Sequence, residues 1–256
     1  MHQRFVVKRL QSQEEAQEVF CCMSEVPIPW PEAVKLCRVW ASQNLGKHLE
    51  GYHLQDADGT AVGQLYYAPS ERALVPYEIE PGVAVVYCEW IQRHYQKQGL
   101  GRMLYSAFEA EMQQQGFKGI LVEGTNREEQ MHYRHYLARG FRVLHETADR
   151  TLLYRPLHQS EIQFRPLENR IQPRQGVPVE ILILNGYLCP FETSSQVLLL
   201  EVAQEFGDRV VVRQEPLTAE TLRRYGVVDG IFINGRQKLT GGATEQAIRQ
   251  AILEEL

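Results

Sequence analysis

The sequence predicts a protein of the α/β class (α+β, with a mixed sheet) in two parts. Strand-like and helix-like patterns alternate through both halves, as in folds that pack helices on a sheet. The length of 256 residues favours two modest domains over one large one. Between the halves lies a segment without sustained periodicity that holds prolines at positions 156, 166, 173 and 178. Because proline lacks the amide donor that a helix or central strand needs, we predict a front domain at 1–157, a linker at 158–178 and a rear domain at 179–256.

The first elements of the front half are a strand, two helices and a strand pair. Residues 5–10 (FVVKRL) indicate the strand. Ser12 and Glu15 form a capping box, which predicts a helix whose apolar face holds Ala16, Val19, Phe20 and Met23. Pro31 is favoured at the start of a second helix, whose buried face holds Ala33, Leu36, Cys37 and Trp40. Residues 50–56 and 60–67 are strand-like around the turn at 56–59.

The remainder of the front half alternates strand and helix. Residues 83–91 (VAVVYCEWI) are the most strongly β-prone run, and a helix with apolar residues at helical spacing begins at Leu100. Residues 119–124 predict a strand, residues 128–139 a helix that Gly140 ends, and residues 141–154 two short strands. The predicted order is β-α-α-β-β-β-α-β-α-β-β.

The rear half predicts a smaller β-α-β-α-β-β-α unit. The first two strands lie at 181–186 and 208–215, and the helices lie at 190–206, 218–225 and 243–255. Asn234-Gly235 is a strong signal for a two-residue hairpin turn within 231–236.

Composition and charge argue against several classes of protein. Hydrophobic residues make up 44% and charged residues 23%, which argues against a disordered or fibrous protein. A net charge of −5 leaves no basic surplus for a nucleic-acid partner. No apolar run approaches the roughly 20 residues of a membrane helix, and the start lacks the apolar core of a signal peptide. Five cysteines without metal-ligand spacing suit a reducing compartment, so we expect a cytoplasmic protein with no metal, membrane or nucleic-acid partner.

The most informative segment is the loop from Gln96 to Arg102 (QKQGLGR), between the strand ending at Ile91 and the following helix. Its small residues let consecutive backbone amides turn toward one point, and the helix N-terminus adds its dipole. Arg93, Lys97 and Arg102 add positive charge. The sequence therefore predicts a site for a diphosphate group.

Three phosphate-loop patterns compete for this segment. A Walker loop requires GxxxxGK[ST], which is absent. A dinucleotide fingerprint would begin at Gly99-Leu100-Gly101, with Glu123 placed for a ribose, but Leu104 stands where the third glycine belongs. In the third pattern, Gln96-x-x-Gly99-x-Gly101 resembles the [Q/R]-x-x-G-x-[G/A] loop of the GNAT acyltransferase superfamily.

The surrounding elements extend the resemblance to the GNAT family over residues 4–156. The loop follows the central strand and precedes a long helix, a strand then ends near Asn126, and the next helix ends in Tyr136-Leu137-Ala138-Arg139-Gly140-Phe141. The resemblance implies the mixed-sheet fold of the GNAT acyltransferases. It also implies an enzyme that transfers an acetyl group from acetyl-CoA to an amine of a small molecule or peptide. It also implies that the strand at 87–91 splays from its neighbour and that the donor is held by Ile91, Gln96, Lys97, Gln98, Gly99, Leu100, Gly101, Arg102 and Asn126.

Two residues are candidates for the chemistry that this resemblance implies. Tyr136 falls where many members keep a tyrosine general acid, and it is equally compatible with packing under Phe141. Glu89 is the candidate base, because burial beside Trp90 would raise its pKa, and the alternative is a solvent-facing glutamate. The commoner base position holds Val85, and many members let solvent deprotonate the amine.

Other side chains have both a functional and a structural interpretation. The aromatic residues Trp30, Trp40, Tyr52, Tyr66, Tyr67 and Tyr87 suit an acceptor pocket, but such residues are more often core. His132 and His135 have metal-ligand spacing, although a solvated helix face is favoured.

The rear half resembles the thioredoxin core, with Cys189-Pro190-Phe191-Glu192 where that family has CxxC. Glu192 replaces the second cysteine, and no proline occurs in 229–232 where thioredoxins keep one. The helix N-terminus would lower the pKa of Cys189, and Glu192 opposes this. Cys189 is therefore a candidate redox thiol, and a redox-inactive binding or homodimerisation module is the alternative. For the whole chain, the alternatives to catalysis are an acyl-CoA sensor whose rear domain recruits a partner and a monothiol redox protein.

Overall fold

A computed structural model describes residues 5–18, 20–23, 28–127, 130–176 and 178–256. The chain divides into two compact units. The front unit comprises the described residues of Met1–Ser24, Ala41–Ala73 and Ile79–Arg165, and the rear unit those of Glu25–Trp40, Leu74–Glu78 and Pro166–Leu256. The predicted boundaries are contiguous, whereas two short segments from the front half of the sequence belong to the rear unit.

The front unit is built on a seven-stranded mixed sheet in the order β1-β2-β3-β5-β6-β8-β7. Neighbouring strands are antiparallel except β5 and β6, which run parallel. The first nine strands of the chain are β1 (Val6–Arg9), β2 (Glu50–Gln55), β3 (Ala61–Pro69), β4 (Tyr77–Ile79), β5 (Val83–Ile91), β6 (Gly119–Thr125), β7 (Arg142–Glu146), β8 (Arg150–Pro156) and β9 (Phe164–Pro166). Strands β4 and β9 are not part of the seven-stranded sheet but form a two-stranded sheet, and neither is predicted from the sequence.

Three helices lie in this part of the chain, namely α1 (Pro31–Asn44), α2 (Leu100–Gln114) and α3 (Tyr133–Leu137). Helix α2 packs on the sheet through residues spaced by four, Leu100, Leu104, Phe108 and Met112, all of which are buried. Gly116, with φ +78°, follows the helix end. The prediction of a helix at this position is confirmed.

Two helices predicted in the front half are replaced by shorter elements in the structure. The capping box exists, because Ser12 Oγ accepts from the Glu15 amide and Glu15 Oε2 accepts from the Ser12 amide. It begins only a 3-10 turn at Glu15–Glu18, and a second such turn follows at Cys21–Met23, after Phe20 adopts a left-handed backbone (φ +68°). Val19 lies outside the described residues. Of the predicted helix at 128–139, residues 128 and 129 lie outside the described residues. Helix α3 is five residues long and begins only after the buried His132, which is its N-cap.

The rear unit contains a four-stranded sheet in the order β11-β10-β12-β13. Strands β10 and β11 are parallel, and the other neighbouring pairs are antiparallel. The elements are β10 (Val179–Asn185), α4 (Pro190–Ala203), β11 (Val210–Pro216), α5 (Ala219–Tyr225), β12 (Gly230–Ile233), β13 (Arg236–Leu239) and α6 (Glu245–Leu253). The predicted β-α-β-α-β-β-α order is present, and α4 ends three residues earlier than predicted, in a 3-10 turn at Gln204–Arg209.

Local signals explain several boundaries in the rear unit. Asn234 and Gly235 have φ of +47° and +75° and form the turn of the β12–β13 hairpin. Thr218 and Thr221 form a capping box at the start of α5, and Gly226 (φ +73°) ends that helix. These features follow directly from the residue types at those positions.

The segment 28–40 contacts other residues of the rear unit, to which it belongs. The ring of Trp30 lies 5.6 Å from that of Phe191 in an edge-to-face arrangement, and Cys37 Sγ lies 3.3 Å from Thr193 Oγ1. Trp30 keeps 42% of its surface exposed. Among the described residues, no helix has the length and apolar character to cross a membrane.

Candidate active site

The two central strands of the front sheet separate part-way along their length. Strands β5 and β6 pair from Val83 opposite Gly119 to Val86 opposite Val122, and within the described residues this ladder does not continue. Further along β5, Glu89 and Ile91 pair with β3 on the other side. The expectation that residues 87–91 splay from the neighbouring strand is confirmed.

A bulge marks the point of separation. In the β3–β5 ladder, Tyr66 lies opposite Cys88 and Tyr67 opposite Val86, so β5 has one extra residue at Tyr87. An extra residue in one strand bends that strand and increases its twist. The bulge therefore turns the end of β5 away from β6.

The loop after β5 contains two residues with a left-handed backbone conformation just before α2. Lys97 and Gly99 have φ of +61° and +80°, and Gly99 is the N-cap of the helix. The first amides of an α-helix have no intrahelical acceptor and point out of its N-terminus, where the helix dipole is positive. Lys97, Gln98 and Gly99 are exposed, so these amides border solvent at the end of β5.

The side chains of the two loop glutamines form hydrogen bonds to backbone carbonyl groups. Gln96 Nε2 donates to the carbonyl oxygen of Ile91 at 2.9 Å, and Gln98 Nε2 donates to that of His94 at 3.0 Å. Gln96 thus ties the loop to the last residue of β5. The two glycines differ, because a Cβ at Gly99 would meet no atom within 4 Å but would have a strained φ, whereas a Cβ at Gly101 would make ordinary contacts at 3.6 to 3.8 Å.

Tyr136 lies buried on α3 with 3% of its surface exposed. Its ring packs edge to face on Phe141 at 5.4 Å. Burial, together with the nearby charge of Glu89, raises the pKa of Tyr136 well above its usual value, and Arg139 partly opposes this shift. The hydroxyl is therefore protonated at neutral pH, so both interpretations of Tyr136, packing and proton donation, fit its position.

Glu89 has a partner that is not predicted from the sequence, Arg139. Arg139 Nη1 donates to Glu89 Oε2 at 2.6 Å, and the two side chains are 27% and 8% exposed. Arg139 lies three residues after Tyr136, on the same side of the helix end, and this spacing is the only sequence signal for it. The carboxylate is engaged by a guanidinium and does not face solvent.

The sequence of residues 16–141 matches the model of the acetyltransferase (GNAT) family. This match covers the splayed strands, the loop, α2 and the Tyr136–Phe141 segment. The chain contains a GNAT acetyltransferase domain. Enzymes of this family use acetyl-CoA as the acyl donor, and the chain is accordingly an acetyltransferase.

Solved structures similar to this chain include three acetyltransferases. The ribosomal-protein-S18-alanine N-acetyltransferase from Escherichia coli is 15% identical over 61% of this chain and 96% of its own, with a TM-score of 0.45. A GNAT family N-acetyltransferase from the same organism, in complex with CoA, is 15% identical over 60% and 82% of the two chains, with a TM-score of 0.44. An acetyltransferase from Thermus thermophilus is 18% identical over 60% and 97%, with a TM-score of 0.45. A search of curated proteins gives no match.

The remaining residues of the dinucleotide pattern have other partners in the acetyltransferase domain. Leu104, at the position of the third glycine, is completely buried in the core. Glu123 Oε1 lies 3.8 Å from Arg150 Nε. Asn126 lies exposed just after β6, and its contact with the donor stays a prediction.

Three of the six candidate pocket aromatics are core residues. Tyr52, Tyr66 and Tyr67 are each at most 3% exposed, so the core interpretation is confirmed for them. Trp40 packs in a small apolar cluster of the rear unit, and Trp30 also belongs to that unit. Tyr87 is the bulged residue of β5, next to the splayed strands.

The two histidines with metal-ligand spacing differ in their exposure to solvent. His132 Nδ1 accepts from the Arg134 amide at 3.2 Å and is buried, so the predicted solvated face is wrong for this residue, whereas His135 is exposed. Among the described residues, no group of three or more His, Cys, Asp or Glu side chains is arranged to hold a metal ion.

Cys189 occupies the N-cap of α4, as predicted, but the predicted lowering of its pKa is wrong. Burial raises the pKa of this thiol to about 11, although the amides of Phe191 and Glu192 hydrogen-bond to it and favour the thiolate. Desolvation is the largest contribution, although the side chain is only half-buried. A thiol whose pKa is raised is mostly protonated at neutral pH and is therefore poorly reactive.

Proposed function

We propose that the chain is an acetyl-CoA-dependent N-acetyltransferase that transfers an acetyl group to an amine of a small molecule or peptide. The observation that carries the proposal is the separation of β5 from β6 after Val86, directly before a loop that ends at the N-terminal amides of α2. An open strand edge suits an extended amide-containing arm, and the helix N-terminus suits a diphosphate. CoA has both chemical groups.

The donor-binding residues follow from this geometry. The first amides of α2, from Leu100 to Arg102, and the exposed backbone at Lys97–Gly99 would bind the pyrophosphate, and the Lys97 and Arg102 side chains add positive charge. Ile91 and its neighbours at the end of β5 would bind the pantetheine arm. Gln96 and Gln98 shape the loop through their contacts with Ile91 and His94.

The reaction requires proton transfers at two atoms. The neutral amine nitrogen attacks the thioester carbonyl carbon, the amine proton passes to solvent, and the carbon–sulfur bond breaks. Tyr136 then donates its hydroxyl proton to the departing sulfur. The hydroxyl carries its proton at neutral pH, as this role requires.

The rear unit is proposed to be a thioredoxin-like module without redox activity. The strand order β11-β10-β12-β13, with Cys189 at the start of α4, supports the resemblance, and the raised pKa of that thiol argues against a monothiol enzyme. All five cysteines are free, which supports a cytoplasmic location.

The melting temperature of the full chain with and without acetyl-CoA tests the donor assignment, with NADH as the control ligand. A ligand at about 100 times its Kd adds about 2.7 kcal/mol of stability, enough to move the melting temperature by several degrees. We expect a shift with acetyl-CoA only. A shift with NADH only would contradict the proposal.

A panel of amines with detection of free CoA tests catalysis. We expect CoA release that depends on one class of amine. Binding of acetyl-CoA without release in any reaction would instead support a non-catalytic acyl-CoA sensor.

A further inference from the structure

The Glu89–Arg139 ion pair is partly buried in the acetyltransferase domain between three elements. Glu89 belongs to the splayed end of β5, Arg139 follows α3, and both border the first turn of α2. A Cβ at Gly101 would lie 3.6 Å from Arg139 Nη2 and 3.8 Å from Glu89 Oε1. The pair therefore adjoins the place where we propose that the donor binds.

Arg139 also contacts the aromatic side chains around the proposed acid. Its guanidinium carbon lies 4.8 Å from the centre of the Tyr105 ring and 5.7 Å from the centre of the Tyr136 ring. Its carbonyl oxygen accepts from Arg155 Nη1 at 2.5 Å. Both ends of the residue are thus fixed, and the guanidinium is the positive group that the structure places beside Glu89 and Tyr136.

We propose that Arg139 is a positioning residue that fixes the end of α3 against β5 and balances the charge of Glu89, so that Glu89 is a counter-ion and not the catalytic base. This inference rests on the proposed function, because it concerns the same departing sulfur and the same proton donor.

Charge balance matters here because the reaction creates a negative sulfur near Tyr136. Interactions between charges are strong in a site with little solvent. A carboxylate without its guanidinium partner would repel both the developing thiolate and the phenolate that remains after proton donation. Arg139 cancels that repulsion, and its contact with the Tyr136 ring keeps the hydroxyl in place.

The contact between Arg139 and Glu89 also argues against a base role. An attacking amine needs a carboxylate oxygen within hydrogen-bond reach of its own proton. Glu89 Oε2 already accepts from Arg139 at 2.6 Å, and the side chain is 8% exposed. Solvent is therefore the acceptor of the amine proton in this arrangement.

A double-mutant cycle separates the counter-ion role from the base role. The variants are Arg139→Met, Glu89→Gln and the two together, in the full chain, with kcat and the KM for acetyl-CoA measured against pH. For Arg139→Met we expect kcat to fall on the order of 10²-fold with an unchanged KM for acetyl-CoA, because the loop from Gln96 to Arg102 is intact. For the double variant we expect most of that loss to be recovered, because neither charge remains unpaired.

The matched control is the ion pair between Arg249 and Glu205 in the rear unit. Its shortest nitrogen–oxygen distance is also 2.6 Å, but its side chains are 38% and 48% exposed. The variants Arg249→Met and Glu205→Gln, singly and together, are expected to leave kcat and KM unchanged. A further variant, Arg139→Lys, restores the charge and is expected to recover part of kcat.

Three results would overturn the inference. If Glu89 is the base, the double variant is as inactive as Glu89→Gln and both lose the acidic limb of the pH profile of kcat/KM. If the pair is merely structural, the melting temperature falls in parallel with kcat, and Arg139→Lys recovers both together. If the wild-type chain does not bind acetyl-CoA, the proposed function fails and this inference fails with it.

Discussion

Replacing Gly99 by valine tests whether the loop before α2 binds the acetyl donor. Gly99 has φ +80° and ψ 0°, a left-handed conformation that disfavours residues with a Cβ and most of all β-branched ones. A Cβ at this position would meet no protein atom within 4 Å. The side chain would instead occupy open space beside the loop where we propose that the pyrophosphate binds.

The expected magnitudes come from backbone strain and from lost ligand contacts. Left-handed backbone costs a non-glycine residue roughly 1–2 kcal/mol. For a domain of this size, that loss lowers the melting temperature by roughly 2–8 °C. The stabilisation by acetyl-CoA, about 2.7 kcal/mol at 100 times Kd in the wild type, should disappear.

Gly59 provides the matched control for strain. It has φ +82° and nothing within 4 Å of an added Cβ, and it lies in the turn between β2 and β3. The variant Gly59→Val should therefore lose a similar amount of stability but keep the full shift with acetyl-CoA. The assay is the melting temperature of both variants with and without acetyl-CoA.

Two outcomes would count against this reasoning. A full acetyl-CoA shift in Gly99→Val would refute the assignment of the loop to the donor. Loss of the shift in Gly59→Val as well would show that general strain, and not the position of the side chain, abolishes binding.

Three further predictions concern Tyr136, Asp229 and Cys189. For Tyr136→Phe we expect kcat to fall by about 10²–10⁴-fold, because the proton donor is lost. The melting temperature should change little, because the ring contact with Phe141 remains. An unchanged kcat in acetyl transfer would refute the acid role. Burial raises the pKa of Asp229 from 3.8 to about 7. Between these two pH values the folded chain holds a proton that the unfolded chain releases. The free energy of unfolding therefore falls by about 1.4 kcal/mol for each pH unit of increase in this range. Urea unfolding at pH 5 and pH 7.5 should show this loss in the wild type and a smaller one in Asp229→Asn, and equal losses would contradict it. Because burial raises the pKa of Cys189 to about 11, iodoacetamide at pH 7 should label this thiol only after unfolding in urea, and rapid labelling of the folded chain would revive a redox role.

The sequence predicted the elements whose signals are local. The β-prone run at 83–91 is β5 as predicted, and the Asn234-Gly235 turn lies in the predicted hairpin. Both depend on residue types within a few positions of each other. The prediction at 12–23 was wrong in extent because the backbone of Phe20 depends on a distant partner, the Tyr66 hydroxyl that accepts from the Phe20 amide. The prediction at 128–139 was wrong in extent because His132 is the N-cap of α3.

The sequence by itself determined the loop from Gln96 to Arg102, its place between a strand and a helix, and the Tyr136–Phe141 segment. Only the tertiary structure decided that β5 parts from β6 after Val86, that Arg139 pairs with Glu89 fifty residues away, and that the surroundings of Cys189 raise its pKa. The physical reason is the separation along the sequence of the residues that interact. Turns, caps and periodicity depend on neighbouring residues, whereas desolvation and ion pairing depend on which distant segments the folded chain brings together.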